Sequence, residues 1–211
     1  MAVVGIVPAG GSGERLGADR PKAFVVCAGR PLIEWSLEVL DSVCDRVIVA
    51  APDGYDEGPD RVSGGESRSA SVRSALEAAP EAEVFVVHDA ARPLVTRELV
   101  ERCIEALVPG VDGAIAAIPM TDTVKEVASD GRVLRTLDRS ALWAIQTPQV
   151  FKADILRRAL ERDAAALAAA TDDAYLVDDA GGVITVVESY PENLKITRES
   201  DLRIAEALLA H

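Results

Sequence analysis

Short, continuously apolar β-branched runs alternating with amphipathic helical patterns predict a doubly wound, mainly parallel α/β fold. Three observations carry the prediction. Runs 3–7, 46–50, 83–88, 113–118 and 183–188 are apolar almost throughout, as strands buried on both faces must be. Helical spacing fills most of the gaps between them. The first run ends in glycines, and folds of this class take ligands beyond the carboxyl ends of their strands.

In chain order, the strand at 3–7 is closed by Pro8-Ala9-Gly10-Gly11-Ser12-Gly13. A helix is expected over 31–43, where Ile33, Leu37 and Leu40 share one stripe and Pro31 suits a first helical position. A second helix is expected over 96–108, with Val100, Ile104 and Val108 every fourth residue behind a Thr96 cap. Between 121 and 137 two β-prone runs flank Asp130-Gly131, a hairpin signal. We read it as an arm, inserted at about 119–141 into a single domain spanning 1–211; an antiparallel addition to the edge of the same sheet fits the residues equally well. Asp172 and Asp173, after Thr171, read as a cap with acidic first-turn residues, and Trp35 and Trp143 read as packing.

The chain has 211 residues, room for one large domain or one with an appended piece. Its 22 Lys and Arg against 35 Asp and Glu leave a charge of −13, which argues against non-specific binding to nucleic acid or anionic lipid. Cys27, Cys44 and Cys103 have no metal-ligand spacing and read as reduced thiols. With only His88 and the terminal His211, sites needing a histidine pair or triplet are excluded. The apolar start is cut by Pro8 and has no basic residue before Arg15, and the alanine run at 164–170 is too short to cross a bilayer. A cytoplasmic protein is the expectation.

Chemistry concentrates after the first strand. Glycines there let consecutive backbone N–H groups approach phosphate oxygens, and nearby cations neutralise the charge. The first 30 residues hold Arg15, Arg20, Lys22 and Arg30 against Glu14 and Asp19, a local balance of +2, so the rest of the chain carries −15. No Lys-Ser or Lys-Thr follows the last glycine as in a P-loop, and the dinucleotide fingerprint would need a glycine at Leu16. An ordinary glycine turn with solvated cations is the bland alternative.

Pro8-Ala9-Gly10-Gly11-Ser12-Gly13-Glu14-Arg15-Leu16 with Pro21-Lys22 resembles the signature loop of nucleotidyltransferases that act on sugar or polyol phosphates. Later motifs narrow the resemblance: Gly64-Gly65-Glu66-Ser67-Arg68-Ser69-Ala70-Ser71-Val72, His88-Asp89-Ala90-Ala91-Arg92-Pro93, Asp122-Thr123-Val124-Lys125, Asp138-Arg139, Leu142-Trp143, Gln146-Thr147-Pro148-Gln149, Thr171-Asp172-Asp173 and Asn193-Leu194-Lys195-Ile196-Thr197. In order and over the whole chain they are similar to the 2-C-methyl-D-erythritol 4-phosphate cytidylyltransferase family. Gly10 departs from the pattern, which usually has Ala there.

That resemblance implies a Rossmann-like sheet and cytidylyl transfer from CTP to methylerythritol phosphate in non-mevalonate isoprenoid precursor synthesis, with Mg²⁺ bridging the triphosphate. By motif position, Arg15, Lys22, Arg139 and Lys195 would be catalytic. Ala9, Gly10, Gly11, Ser12, Gly13, Gly65, Glu66 and Ser71 would hold the nucleotide, largely through backbone groups reading the cytosine edge. Asp89, Arg92, Thr123 and Thr147 would complete the polyol site, and Asp89 is also the candidate metal contact. The arm implies a homodimer in which Arg139 and Thr123 enter the partner's site. Read without the motifs, Lys195 and Arg139 are surface cations, the usual fate of Lys and Arg, Asp89 and Arg92 are equally a helix-entry ion pair, and His88 is a strand-end core residue rather than a general base, since an acceptor phosphate is already deprotonated. Ribitol 5-phosphate as acceptor, a non-catalytic nucleotide sensor and, more weakly, a dinucleotide-dependent dehydrogenase are the competing functions.

Overall fold

The computed structural model describes residues 1–17 and 19–210, so His211 lies outside the described residues. Strand β1 (Val3–Pro8) buries five of its six residues. A short ribbon, β2 (Val26–Cys27) and β3 (Arg30–Pro31), leads into α1 (Leu32–Asp41). Pro31 stands at the N-cap with extended ψ, one residue before the first helical position. Strands β4 (Arg46–Ala51) and β5 (Arg61–Ser63) precede α2 (Arg68–Glu77), whose cap Ser67 accepts from the Ala70 amide at 3.1 Å. Strand β6 (Val84–Val87) is followed by α3 (Arg97–Glu105), capped by Thr96 as expected. Leu99, Val100 and Cys103 form its buried face; it stops short of Val108, which is exposed just before Pro109-Gly110.

Strand β7 (Gly113–Pro119) gives way to the hairpin strands β8 (Lys125–Val127) and β9 (Val133–Thr136), then to the long β10 (Trp143–Lys152). Helices α4 (Ala153–Leu160), α5 (Ala164–Ala169) and α6 (Asp173–Asp179), strand β11 (Ile184–Glu188) and α7 (Glu199–Leu209) complete the chain. The seven-stranded sheet has the order β11-β7-β10-β6-β1-β4-β5. Strand β10 runs antiparallel to both neighbours, and the other recorded pairings within the sheet are parallel.

No strand is expected from the sequence at β10, because Gln146, Thr147, Pro148 and Gln149 interrupt its apolar pattern. Its register shifts between Ile145 and Gln149, so Pro148 is not asked for a ladder N–H. Trp143, expected to pack, opens this strand and is 37% exposed where the hairpin joins the body.

Period-two alternation sorts the core. Val4 and Ile6 face one side with Val72, Leu76, Leu156 and Leu176 of α2, α4 and α6. Val3 and Val7 face the other with Ile33, Leu40, Leu99 and Val100 of α1 and α3. Cys27, Leu32, Ile196 and Ala205 form a smaller cluster that seats α7 and anchors the segment carrying Lys195. All three cysteines are buried free thiols; burial pushes Cys27 up to about 11 and Cys44 and Cys103 up to about 12.

The hairpin is a separate two-stranded sheet joined by residues 128–132, with Gly131 left-handed at φ 86°. Val127, Val133 and Leu134 are each more than half exposed. Among the described residues no helix is long and apolar enough to cross a membrane.

Candidate active site

Residues that follow the parallel strands β1, β5 and β6 build three depressions that share walls, with β10 and the segments before α6 and α7 completing them. The first, about 210 Å³, lies between the Ala9-Gly10-Gly11 loop, Gly65, Glu66 and the start of α2. The second, about 190 Å³, is lined by Gly11, Ser12, Gly13, Arg15, Lys22 and Thr197. It shares Gly11 and Lys22 with the first. The third, about 380 Å³, shares Arg68, Asp89 and Lys195 with the first and adds Arg92, Gln146, Thr147, Gln149, Thr171 and Asp172.

Local geometry explains the residue types. A Cβ on Gly65 would lie 2.5 Å from Ala70 Cβ and 2.8 Å from the Ala70 carbonyl carbon, so only glycine lets the loop lie on α2. At Gly10 the nearest atom to such a Cβ would be Ser71 Oγ at 3.9 Å, and alanine fits there. Ser71 is buried; its Oγ accepts from the Gly65 amide at 3.0 Å and donates to the Ser67 carbonyl at 3.0 Å. It pins the glycine loop to the helix.

The electrostatics are those of an anion site. Lys22 Nζ donates to the Ile196 carbonyl at 3.1 Å. Burial lowers its pKa, and the cations Lys195, Arg15 and Arg92 lower it further against the opposing pull of Asp89. A chain of net charge −13 thus gathers four mutually repelling cations at one place.

Asp89 sits at the junction of the first and third depressions. Its Oδ1 accepts from Arg68 Nε at 3.0 Å and its Oδ2 from Lys195 Nζ at 2.7 Å. Burial would raise its pKa, but Arg68, Lys195 and Arg92 outweigh it and hold the carboxyl well below the usual range. Arg92 donates instead to the Asn193 carbonyl at 2.6 Å, so the helix-entry pair with Asp89 does not form. Both Asp89 oxygens already carry charged donors, and among the described residues no group of three or more His, Cys, Asp or Glu side chains is placed to hold a metal ion. The residues do not fit a resident cation.

His88 is wholly buried, and burial lowers it to about 4. It is neutral and sealed from the depressions' space, as a core histidine would be.

All fourteen candidate residues outside the hairpin and its base line the depressions: Ala9, Gly10, Gly11, Ser12, Gly13, Arg15 and Lys22 from the glycine loop, Gly65, Glu66 and Ser71 from the start of α2, Asp89 and Arg92 after β6, Thr147 within β10, and Lys195 before α7. Thr123 and Arg139 are not brought there. Both are exposed, Thr123 just before β8 and Arg139 after β9, where its guanidinium donates to the Thr121 carbonyl.

Other residues emerge only from the fold. Arg68 bridges Asp89 and, at 2.6 Å, Asp173. Asp173 is an acidic first-turn residue as expected, and it is fully buried; the cap is Asp172, accepting from the Tyr175 amide at 2.8 Å and from Gln149 Nε2 at 2.8 Å. The serine before α2 was a usable signal for Arg68 at a helix start. Nothing local points to its partner 105 residues away.

Known proteins with this arrangement share more than the fold. The family model described as 2-C-methyl-D-erythritol 4-phosphate cytidylyltransferase matches residues 3–211. A protein of that name from Nocardia farcinica is 44% identical over 220 residues, covering 99% of this chain and 94% of the relative. Its counterpart from Frankia casuarinae is 42% identical over 219 residues, covering 99% and 81%. The crystal structure of the enzyme of that name from Thermus thermophilus superposes with a TM-score of 0.85 at 35% identity, covering 100% of both chains. With a family match over nearly its full length and close relatives aligned end to end, this chain belongs to the 2-C-methyl-D-erythritol 4-phosphate cytidylyltransferase family.

Proposed function

We propose that the chain transfers the cytidylyl group of CTP to 2-C-methyl-D-erythritol 4-phosphate and releases pyrophosphate, a step of non-mevalonate isoprenoid precursor synthesis. The observation that carries the reading is the cation cluster of Arg15, Lys22, Arg92 and Lys195 beside a glycine loop in an acidic, family-matched chain. Base and ribose occupy the first depression, the polyphosphate reaches into the second, and the acceptor takes the third.

The acceptor's phosphate oxygen attacks the α-phosphorus in line; the new P–O bond forms as the bond to the β-phosphate oxygen breaks. Negative charge spreads over the phosphorus oxygens and the departing pyrophosphate, and Lys22 and Arg15 are placed to stabilise it. Lys195 keeps protons free of its bond to Asp89 and holds the acceptor phosphate. Asp89 accepts from the polyol, with Arg92 and Thr147 beside it. The acceptor phosphate is already ionised, so no general base is needed. A divalent cation enters with CTP as part of the substrate, held by the triphosphate. Arg139 and Thr123 serve the site of a second copy of the chain, which makes the enzyme a homodimer.

The test is pyrophosphate release with CTP, Mg²⁺ and a panel of polyol phosphates. Turnover is expected with methylerythritol phosphate. Preference for ribitol 5-phosphate would overturn the acceptor, and no release with any acceptor would overturn the reaction.

A further inference from the structure

We propose that His88 and Asn193 are positioning residues for the acceptor side of the site: with Thr147 and Arg92 they close a ring of four hydrogen bonds that fixes Thr147 and Arg92 together. The inference rests on the reading that the third depression takes the acceptor. Each member donates through its side chain to the next. Thr147 Oγ1 lies 3.0 Å from His88 Nδ1, and His88 Nε2 lies 3.1 Å from the Arg92 carbonyl. Arg92 Nη1 donates to the Asn193 carbonyl at 2.6 Å, and Asn193 Nδ2 donates to the Thr147 carbonyl at 2.9 Å.

The proton positions follow from the partners. A carbonyl only accepts, so the Nε2 facing Arg92 must carry hydrogen. Full burial keeps the imidazole neutral, which leaves Nδ1 bare. Thr147 therefore gives its one hydroxyl proton to His88, while its oxygen accepts from the Asp89 amide at 3.0 Å. That hydroxyl has no proton left to donate to a ligand in this arrangement. Asn193 spends its second amide proton on Gln146 Oε1 at 2.9 Å.

All four side chains belong to residues no more than 8% exposed, and they come from three segments: the end of β6, the irregular middle of β10, and the loop before α7. Each segment delivers a residue to the third depression: Asp89 follows His88, Gln146 precedes Thr147, and Lys195 is two residues after Asn193. Apolar side chains would fill the same volume without desolvating polar groups, but they would not fix direction. The ring orients what the depression presents.

The experiment measures KM for CTP, KM for methylerythritol phosphate, kcat and Tm for His88→Asn, Asn193→Ala and the double variant. Each single change is expected to raise acceptor KM about tenfold or more with CTP KM within about twofold. His88 and Asn193 do not bond to each other, so independent structural roles would add; an opened ring leaves the double variant within about twofold of the worse single one. Equal shifts in both KM values, or additive effects, would overturn the proposal. Nitrogen NMR of the wild-type imidazole needs no variant: a neutral Nε2–H ring is expected at pH 7, and a charged or Nδ1–H ring would overturn it. A wild-type protein that shows this tautomer but no turnover would instead refute the proposed reaction.

Discussion

At the residue scale, charge and burial decide roles that residue type leaves open. In the proposed reaction Lys22 and Arg15 stand where pyrophosphate leaves, and fixed donors at developing charge are worth about 3 to 4 kcal/mol. Lys22→Ala and Arg15→Ala are each expected to lower kcat by about 10² to 10³ with Tm nearly unchanged. Steady-state kinetics with a thermal melt checks this, and a loss below about threefold in a folded variant would remove the residue from the transition state. His88 makes a different prediction. Its pKa falls from 6.5 to about 4 on folding, so the unfolded chain binds more protons between those values. The stability it contributes is complete above pH 6.5 and is lost as pH falls toward 4, amounting to about 3 kcal/mol. Urea unfolding at pH 7.5 and 4.5 should show the wild type losing more stability than His88→Asn; parallel losses would contradict a buried neutral imidazole.

At the element scale, the glycine loop and α2 form one unit whose two glycines are not equivalent. Gly10→Ala places its methyl in ordinary van der Waals contact with Ser71 and restricts the unfolded chain, so a gain of about 0.4 to 1 kcal/mol is expected, with CTP KM little changed. Gly65→Ala drives a methyl into Ala70 and should cost about 1 to 3 kcal/mol and raise CTP KM as the loop lifts. Denaturant melts and CTP titrations separate the two; equal behaviour would show that loop packing on α2 does not shape the site. The elements also show what periodicity can and cannot report. Apolar runs such as Val3 to Val7 announce themselves because both their faces are buried. Strand β10 does not, because Gln146, Thr147 and Gln149 are buried as polar residues, satisfied by Asn193, His88 and Asp172 from elsewhere in the chain.

At the scale of the whole molecule, the hairpin carries apolar side chains that its own chain does not cover. Val127, Val133 and Leu134 are exposed on it, and Arg139 at its base does not line the depressions of its own chain. A two-fold exchange of arms would cover both copies alike. Lys22→Ala and Arg139→Ala subunits, each inactive alone, are therefore expected to regain activity when unfolded and refolded together. A mixed dimer acting in trans holds one site with both residues intact. Persistent inactivity in a sample shown to contain mixed dimers would refute the shared site and leave the chemistry standing.

By itself the sequence determined the fold class, the hairpin and the identity of the motifs, because local rules govern them: burial on two faces writes an apolar run, and a tight turn writes Asp130-Gly131. Only the tertiary structure decided which polar and charged groups become partners. Arg68 meets Asp173 across 105 residues, Lys195 meets Asp89 across 106, and Asn193 closes on Thr147 across 46. Contacts so distant in sequence carry no local signature, since each side chain alone looks like a cap, a surface cation or a loop amide, and its energy depends on a partner that folding alone supplies.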